Sequence, residues 1–199
     1  LLTPKGERTI VHYTSPHQQL WRNKDELHRI THTKAVYFGN LPDVSMAIKT
    51  ELLRYLKKHN ILTVMNLGVK DCRRSKNQLT QLLKYIDILI VNGYEFADLV
   101  KAPYEDLHFK ENVVKWYMPE LDGKLVVVTQ GKKGSFGYFE EKVFYEQAPK
   151  IEKTVDTTGA GDGYTAGFIS EFIKTKDIKA AMEAGSKYAA KILAKIGAN

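Results

Sequence analysis

Cysteine occurs once in these 199 residues, at Cys72, and proline six times. A single thiol can form neither an internal disulfide nor a cysteine-rich zinc site, which fits a reducing, cytoplasmic setting. Long apolar runs are missing too. None approaches the roughly 20 residues that a membrane-crossing helix needs. No charged segment followed by an apolar stretch marks a secretory signal. No G-x-x-x-x-G-K-[ST] element occurs, so a P-loop is excluded. Internal repeats and Pro- or Ser-rich linkers are absent as well.

What is present describes a folded chain. Hydrophobic residues make up 43%, and 30 Lys and Arg stand against 23 Asp and Glu, a net charge of +7. That balance excludes a disordered or low-complexity chain. A chain of this length buries about 70% of its unfolded surface and makes one compact domain, or at most two small ones. The basic residues are dispersed: Arg54, Lys57 and Lys58 on one segment, Arg73 and Arg74 on another, Lys132 and Lys133 on a third. They are not interleaved with aromatics, and no zinc-finger or RNA-binding signature accompanies them, so nucleic acid is not an expected partner. Dispersed lysine reads as a solvated surface, whose modest positive field also suits a polyanionic small molecule.

Along the chain, strand-like runs alternate with helical ones. Val36 to Phe38 is a short apolar run ending at Gly39. From Val44 to Lys58, residues Met46, Ile48, Leu52, Leu53 and Leu56 fall near helical spacing. Ile61 to Met65 is a second strand candidate, followed by a helical stripe of Leu79, Leu82, Leu83 and Ile86. Asp87 to Val91 is a third, with a short helix near Glu95 to Val100 behind it. Another helical stretch, Asn112 to Met118, leads to the fourth run, Leu125 to Val128. Continuous apolar strands separated by helices predict an α/β fold, a mostly parallel sheet with helices on both faces in three αβα layers.

After Gly131 the rhythm changes. Gly134 to Phe139 and Val143 to Ala148 flank Glu140-Glu141-Lys142 as an antiparallel hairpin would. Gly161 to Thr175 and Ile178 to Ile196 read as two helices. In the second, Ala181, Ala184, Gly185, Tyr188, Ile192 and Ile196 share a face whose small residues would admit another backbone or a flat ligand. At the other end, Leu1 to Tyr13 holds a Pro-Lys-Gly turn between two extended pieces, like the tail of a hairpin.

The chemistry is concentrated in Thr154 to Phe168, TVDTTGAGDGYTAGF. Glycines here allow backbone conformations closed to other residues, and the helix start leaves N–H groups unpaired. Those groups and the helix dipole favour an anion placed against them. A carboxylate at Asp162 can take a proton from a hydroxyl that attacks phosphorus. By residue type alone, Asp162 also reads as a helix N-cap. The run from Gly161 to Ala166 also fits the dinucleotide fingerprint G-x-G-x-x-A, but that needs a following strand and a later acidic residue, and two helices follow here.

Asp156-Thr-Thr-Gly-Ala-Gly-Asp162, followed by an aromatic residue and Ala166-Gly167, resembles the C-terminal signature of the ribokinase-like (PfkB-type) carbohydrate kinases. Three other stretches agree in order and spacing. Asn92-Gly93-Tyr94-Glu95 is similar to the family's N-x-x-E motif, though by itself it also reads as a helix cap with a first-turn acid. Thr129-Gln130-Gly131-Lys132-Lys133-Gly134 is similar to its T-x-G-x-x-G nucleotide loop, though by itself it reads as a hairpin turn. Thr3 to Thr9 resembles the turn within its lid strands, so residues 1–15 would be a remnant of the lid and 16–199 the C-terminal part of the kinase domain.

The resemblance implies ATP-dependent transfer of the γ-phosphoryl group to a hydroxymethyl group of a sugar. A nucleoside acceptor is the alternative, and a non-catalytic nucleotide- or sugar-binding relative a further one. Asp162 would be the general base, and Gly159, Ala160 and Gly161 would form the anion hole. Asn92 and Glu95 would hold phosphates and Mg²⁺ through water. Thr129, Gly131 and Gly134 would line the nucleotide, with Gly185 facing adenine. Asp156 and Thr158 would carry a monovalent cation such as K⁺. A homodimer joined through the lid is implied as well. The family's first strands, most of its lid and its Gly-Gly-Asn element have no counterpart before Leu1, so the expectation is a C-terminal piece of a longer kinase. Asn66 stands where many relatives have an acidic residue, and Asn66-Leu67-Gly68 resembles the nucleoside-kinase branch.

Overall fold

A computed structural model describes residues 24–41, 43–151 and 154–194. The element order is α1 (Lys24–Ile30), β1 (Ala35–Phe38), α2 (Met46–Lys58), β2 (Leu62–Met65), α3 (Val69–Cys72), α4 (Lys76–Leu83), β3 (Ile88–Asn92), α5 (Gly93–Val100) and α6 (Val113–Tyr117). There follow β4 (Leu125–Thr129), β5 (Ser135–Phe139), β6 (Lys142–Glu146), α7 (Ala160–Thr175) and α8 (Ile178–Leu193). The lid reading of residues 1–15 lies outside the described residues, as does Ile196. No described helix is long and apolar enough to cross a membrane.

Six strands form one sheet in chain order, β1 to β6. β1 to β4 pair in parallel, and β4 to β6 continue as antiparallel neighbours. The four apolar runs become the four parallel strands; β3 and β4 are covered on both faces, while Tyr37 of the edge strand β1 is 39% exposed. Leu89, Val91, Val126 and Val128 point into a core shared with α2 to α6. Ile88, Ile90, Leu125 and Val127 point into a second core under α7 and α8. This is the three-layer arrangement expected from period-2 alternation within strands that are apolar on both sides.

Helix starts follow local capping chemistry. Ser45 and Ser75 accept the N–H groups of Ile48 and Gln78, and Asp177 accepts that of Ala180 at 2.9 Å. The buried stripe of α2 is Lys49, Leu52, Leu53 and Leu56. Ile48, placed on the apolar face by the sequence pattern, is instead 37% exposed. Lys49 replaces it inside because Asp71 of α3 meets its ammonium group there.

At the edge where the parallel strands begin, Asp87 ties β2 to β3. Its Oδ2 accepts the Thr63 N–H at 2.8 Å and the Thr63 hydroxyl at 2.9 Å, and Lys57 binds its other oxygen. Burial opposes ionisation, yet the Lys57 and Thr63 hydrogen bonds together hold the carboxyl below its usual value. A carboxylate with a depressed folded-state pKa adds stability above its unfolded pKa of about 3.9, lost as pH falls through the lower folded value. Asp87→Ala is therefore expected to cost about 2 kcal/mol at neutral pH, because it strands the buried Thr63 N–H. Urea denaturation from pH 7 to pH 2 should show the gap between the two proteins narrowing toward the acid end. A constant gap would contradict the linkage.

Candidate active site

Three of the singled-out segments meet at the edge where the parallel strands end. β3 and β4 run in register, so Asn92 and Thr129 are side-by-side partners at that edge. Thr129 pairs with Ser135 across the following turn. Ser135 Oγ lies 2.8 Å from the Tyr164 hydroxyl in the interior. Tyr164 follows Asp162 by two residues, so this bond draws the start of α7 to the same edge. Burial pushes the Tyr164 phenol well above its usual pKa, which keeps it a neutral hydrogen-bonding group.

Asn92 and Glu95 form a complete capping box at the start of α5. Asn92 Oδ1 accepts the Glu95 N–H at 2.9 Å, and Glu95 Oε2 accepts the Asn92 N–H at 2.9 Å. The helix-cap reading of this motif is thus realised in the structure. It also fixes both side chains at the strand edge, Asn92 exposed and Glu95 half-buried. Burial raises the Glu95 pKa, the Asn92 N–H opposes that, and Asp98 adds to it.

The segment after β4 is a tight turn, as the hairpin reading expects. Gln130 N–H donates to the Gly134 carbonyl at 2.7 Å, closing a short 3₁₀ turn over Gly131–Lys133. Gly134 has φ 94°, and a Cβ there would stand 2.1 Å from the Glu146 carbonyl oxygen, so only glycine fits. Gln130 was not singled out from the sequence. Its Oε1 accepts the Tyr104 hydroxyl at 2.5 Å, and its Nε2 is buried without a hydrogen-bond partner. These two residues help line an aromatic cleft of about 1020 Å³ with Tyr94, Phe109, Phe136 and Tyr145.

The threonine-rich loop folds on itself before α7. Asp156, buried, accepts the Thr158 N–H at 2.9 Å and the Thr158 hydroxyl at 2.8 Å through one oxygen. Gly159 follows as the helix N-cap with φ 76°, a left-handed conformation that glycine adopts without strain. Asp162 is therefore not the cap. It sits in the first turn, exposed, with the Gly163 N–H donating past it to the Gly159 carbonyl at 2.8 Å. The Ala160 N–H bends back to the Thr157 carbonyl at 3.4 Å. Helix geometry leaves Gly161 and Asp162 N–H without an intrahelical acceptor. A Cβ on Gly161 would meet nothing within 4 Å, so its space opens away from the protein.

Gly185 departs from expectation. A Cβ there would stand 2.9 Å from the Tyr164 carbonyl oxygen and 3.2 Å from the Tyr164 ring. Its bareness serves the contact between α8 and α7, which the sequence pattern left open between another backbone and a flat ligand. Gly167 answers it from α7, where a Cβ would lie 2.8 Å from the Ala184 carbonyl oxygen. The backbone of α7, not an open surface, fills that face.

Comparisons with known proteins identify the family. The family model for "pfkB family carbohydrate kinase" matches residues 1–199, and the chain belongs to that family. It is 32% identical over 108 residues to a nucleoside kinase of Methanocaldococcus jannaschii, an alignment covering 53% of this chain and 32% of that protein. It is 27% identical over 182 residues to a ribokinase of Arabidopsis thaliana, covering 88% of this chain and 46% of that one. The structure of Arabidopsis thaliana ribokinase complexed with ribose and ATP superposes with a TM-score of 0.76 at 24% identity, over 88% of this chain and 55% of that chain. The chain thus spans about half the length of that ribokinase, and the superposition shares its fold.

Proposed function

We propose that this chain is the nucleotide- and base-bearing part of an ATP-dependent phosphotransferase, acting on a hydroxymethyl group of a sugar or a nucleoside. The observation that carries the reading is the convergence at one strand edge. Asn92 and Thr129 pair there in register, and the Ser135–Tyr164 bond ties the first turn of α7, which carries the exposed Asp162, to the same strand end. Open α/β sheets bind ligands at the carboxyl ends of their strands, where this cluster lies.

Each residue then has a defined task. Within the turn from Thr129 to Gly134 the N–H groups of Gln130, Lys133 and Gly134 are committed, so those of Gly131 and Lys132 are the ones offered to nucleotide phosphates. The N–H groups of Gly161 and Asp162 and the positive end of α7 face the moving phosphoryl group. Asp162 removes the proton from the acceptor hydroxyl as that oxygen attacks phosphorus in line. Little covalent chemistry falls to the protein, so rate comes from positioning and charge stabilisation.

Among the described residues no three of His, Cys, Asp or Glu gather as a metal cage. Asn92 and Glu95 are bound to each other, a donor set suited to Mg²⁺ that keeps its water and reaches the protein through it. When bound, Mg²⁺ would neutralise charge on the phosphates. Asp156 and Thr158 present oxygen atoms beside the loop, the donor type that a monovalent cation takes. A nucleoside acceptor is favoured by the likeness to the nucleoside kinase and a sugar by that to the ribokinase.

ATP consumption by the full-length protein with a panel of sugars and nucleosides tests the reading. Turnover with one acceptor class is expected, and none with any would defeat it. Gly161→Val is the control. Its side chain enters open space, so the fold should hold while kcat falls and KM for ATP changes less. A variant as active as the wild type would remove the α7 start from the phosphoryl path.

A further inference from the structure

Tyr164 and Asp162 stand two positions apart on α7, about 200° around its axis. Asp162 therefore faces outward while Tyr164 is buried, 5% exposed. Long side chains on a helix lean back toward its N-terminus, which brings this ring beneath the turn that carries Asp162. Three contacts hold it there. Gly185 of α8 admits the ring, since a Cβ at that position would stand 3.2 Å from it. The Phe168 ring lies alongside, with centroids 6.4 Å apart. The Tyr164 hydroxyl lies 2.8 Å from Ser135 Oγ.

The last of these joins two parts of the site. Ser135 opens β5 directly after Gly134, the end of the turn that follows β4. Its register partners are Thr129 on one side and Glu146 on the other, and it is 1% exposed. Among the described residues, neither hydroxyl has a second hydrogen-bond partner. No other side-chain hydrogen bond among them runs from the turn or β5 to α7.

We propose that Tyr164 and Ser135 are a positioning pair, which sets the spacing between the nucleotide turn and Asp162. The proposal rests on the phosphotransferase reading above, which gives the phosphates to that turn and the acceptor's proton to Asp162. Phosphoryl donor and base then sit on different elements, and in-line transfer needs both at a fixed separation. A misplacement of about 1 Å can cost about 10²-fold in rate. Binding of ATP draws mainly on the turn, so a loosened α7 is felt in kcat and not in KM.

The test is a double-mutant cycle in the full-length enzyme with Tyr164→Phe, Ser135→Ala and both together. Each single change strands one buried hydroxyl and should lower the urea midpoint, whereas the double variant leaves none stranded and should recover most of that loss. Turnover is expected to behave differently. Each single change should lower kcat about tenfold, the worth of about one hydrogen bond, with KM for ATP within about twofold of wild type. The double variant should be as slow as either single one, because the tie is missing in all three. Unchanged kcat in Tyr164→Phe, or a kcat that recovers with stability in the double variant, would overturn the proposal and leave the pair a packing feature. A wild type that turns over no acceptor would strike the phosphotransferase reading instead. Hydrogen exchange then decides the tie on its own: the amides of Gly161 to Gly163 should exchange faster in the double variant, and equal rates would dismiss it.

Discussion

Asp162→Asn is expected to lower kcat by about 10²–10⁴-fold, the range that loss of a general base produces. The change is nearly isosteric and the side chain is exposed in the first turn of α7, so the fold has little reason to respond. A first-turn acid interacts with the helix dipole for about 0.3–1 kcal/mol, which sets the upper end of the stability loss. KM for ATP should stay level or fall, because the variant removes a negative charge from beside the phosphate path. Steady-state kinetics at saturating acceptor, with a thermal melt as control, separates these effects. Turnover equal to wild type would take Asp162 out of the mechanism. A raised KM with unchanged kcat would reassign it to ground-state binding.

The largest expected effect on stability lies at Asp71. This carboxylate is 2% exposed on α3 and receives the Lys49 ammonium of α2, itself 1% exposed, together with Arg74 Nε at 2.9 Å. Asp71→Ala leaves Lys49 buried without its anion. Breaking a buried pair from one side costs about 3–5 kcal/mol, against a total of about 5–15 kcal/mol for a typical domain. A drop of that size should appear in the urea midpoint. Replacing both partners, Lys49→Met with Asp71→Leu, should recover most of the loss, since apolar packing of similar volume needs no charge compensation. If the single variant is as stable as wild type, the pair is not what holds α2 to α3.

The same pair shows where sequence reading reached its limit. Spacing identifies α2 and three of its four inward residues, yet it counts Ile48 inside and Lys49 outside, because polarity is a poor guide to exposure where a buried charge finds a partner. The true stripe, Lys49, Leu52, Leu53 and Leu56, has ideal i, i+3, i+4, i+7 spacing once the lysine is allowed in. On α8 the pattern named Ala181, Gly185 and Ile192 correctly, but Tyr188 remains 47% exposed. Its ring passes 3.4 Å from where a Cβ of Gly163 would be and lies at the rim of the contact. The apolar runs of β3 and β4 were legible because each strand is covered on both faces, which removes alternation and leaves only hydrophobicity.

Residue order alone was enough for the four parallel strands, the late hairpin, the paired C-terminal helices and the glycine-rich turn before α7. All of these follow from patterns within a few residues, where backbone sterics and periodicity act directly. Folding in three dimensions decided which residues meet: Asn92 with Thr129, Ser135 with Tyr164, Lys49 with Asp71. Local periodicity tells which face of an element is turned inward, but not which neighbour arrives to meet it. That choice depends on strand order, register and helix packing, which couple positions twenty to well over a hundred residues apart and leave no mark in the spacing of either partner.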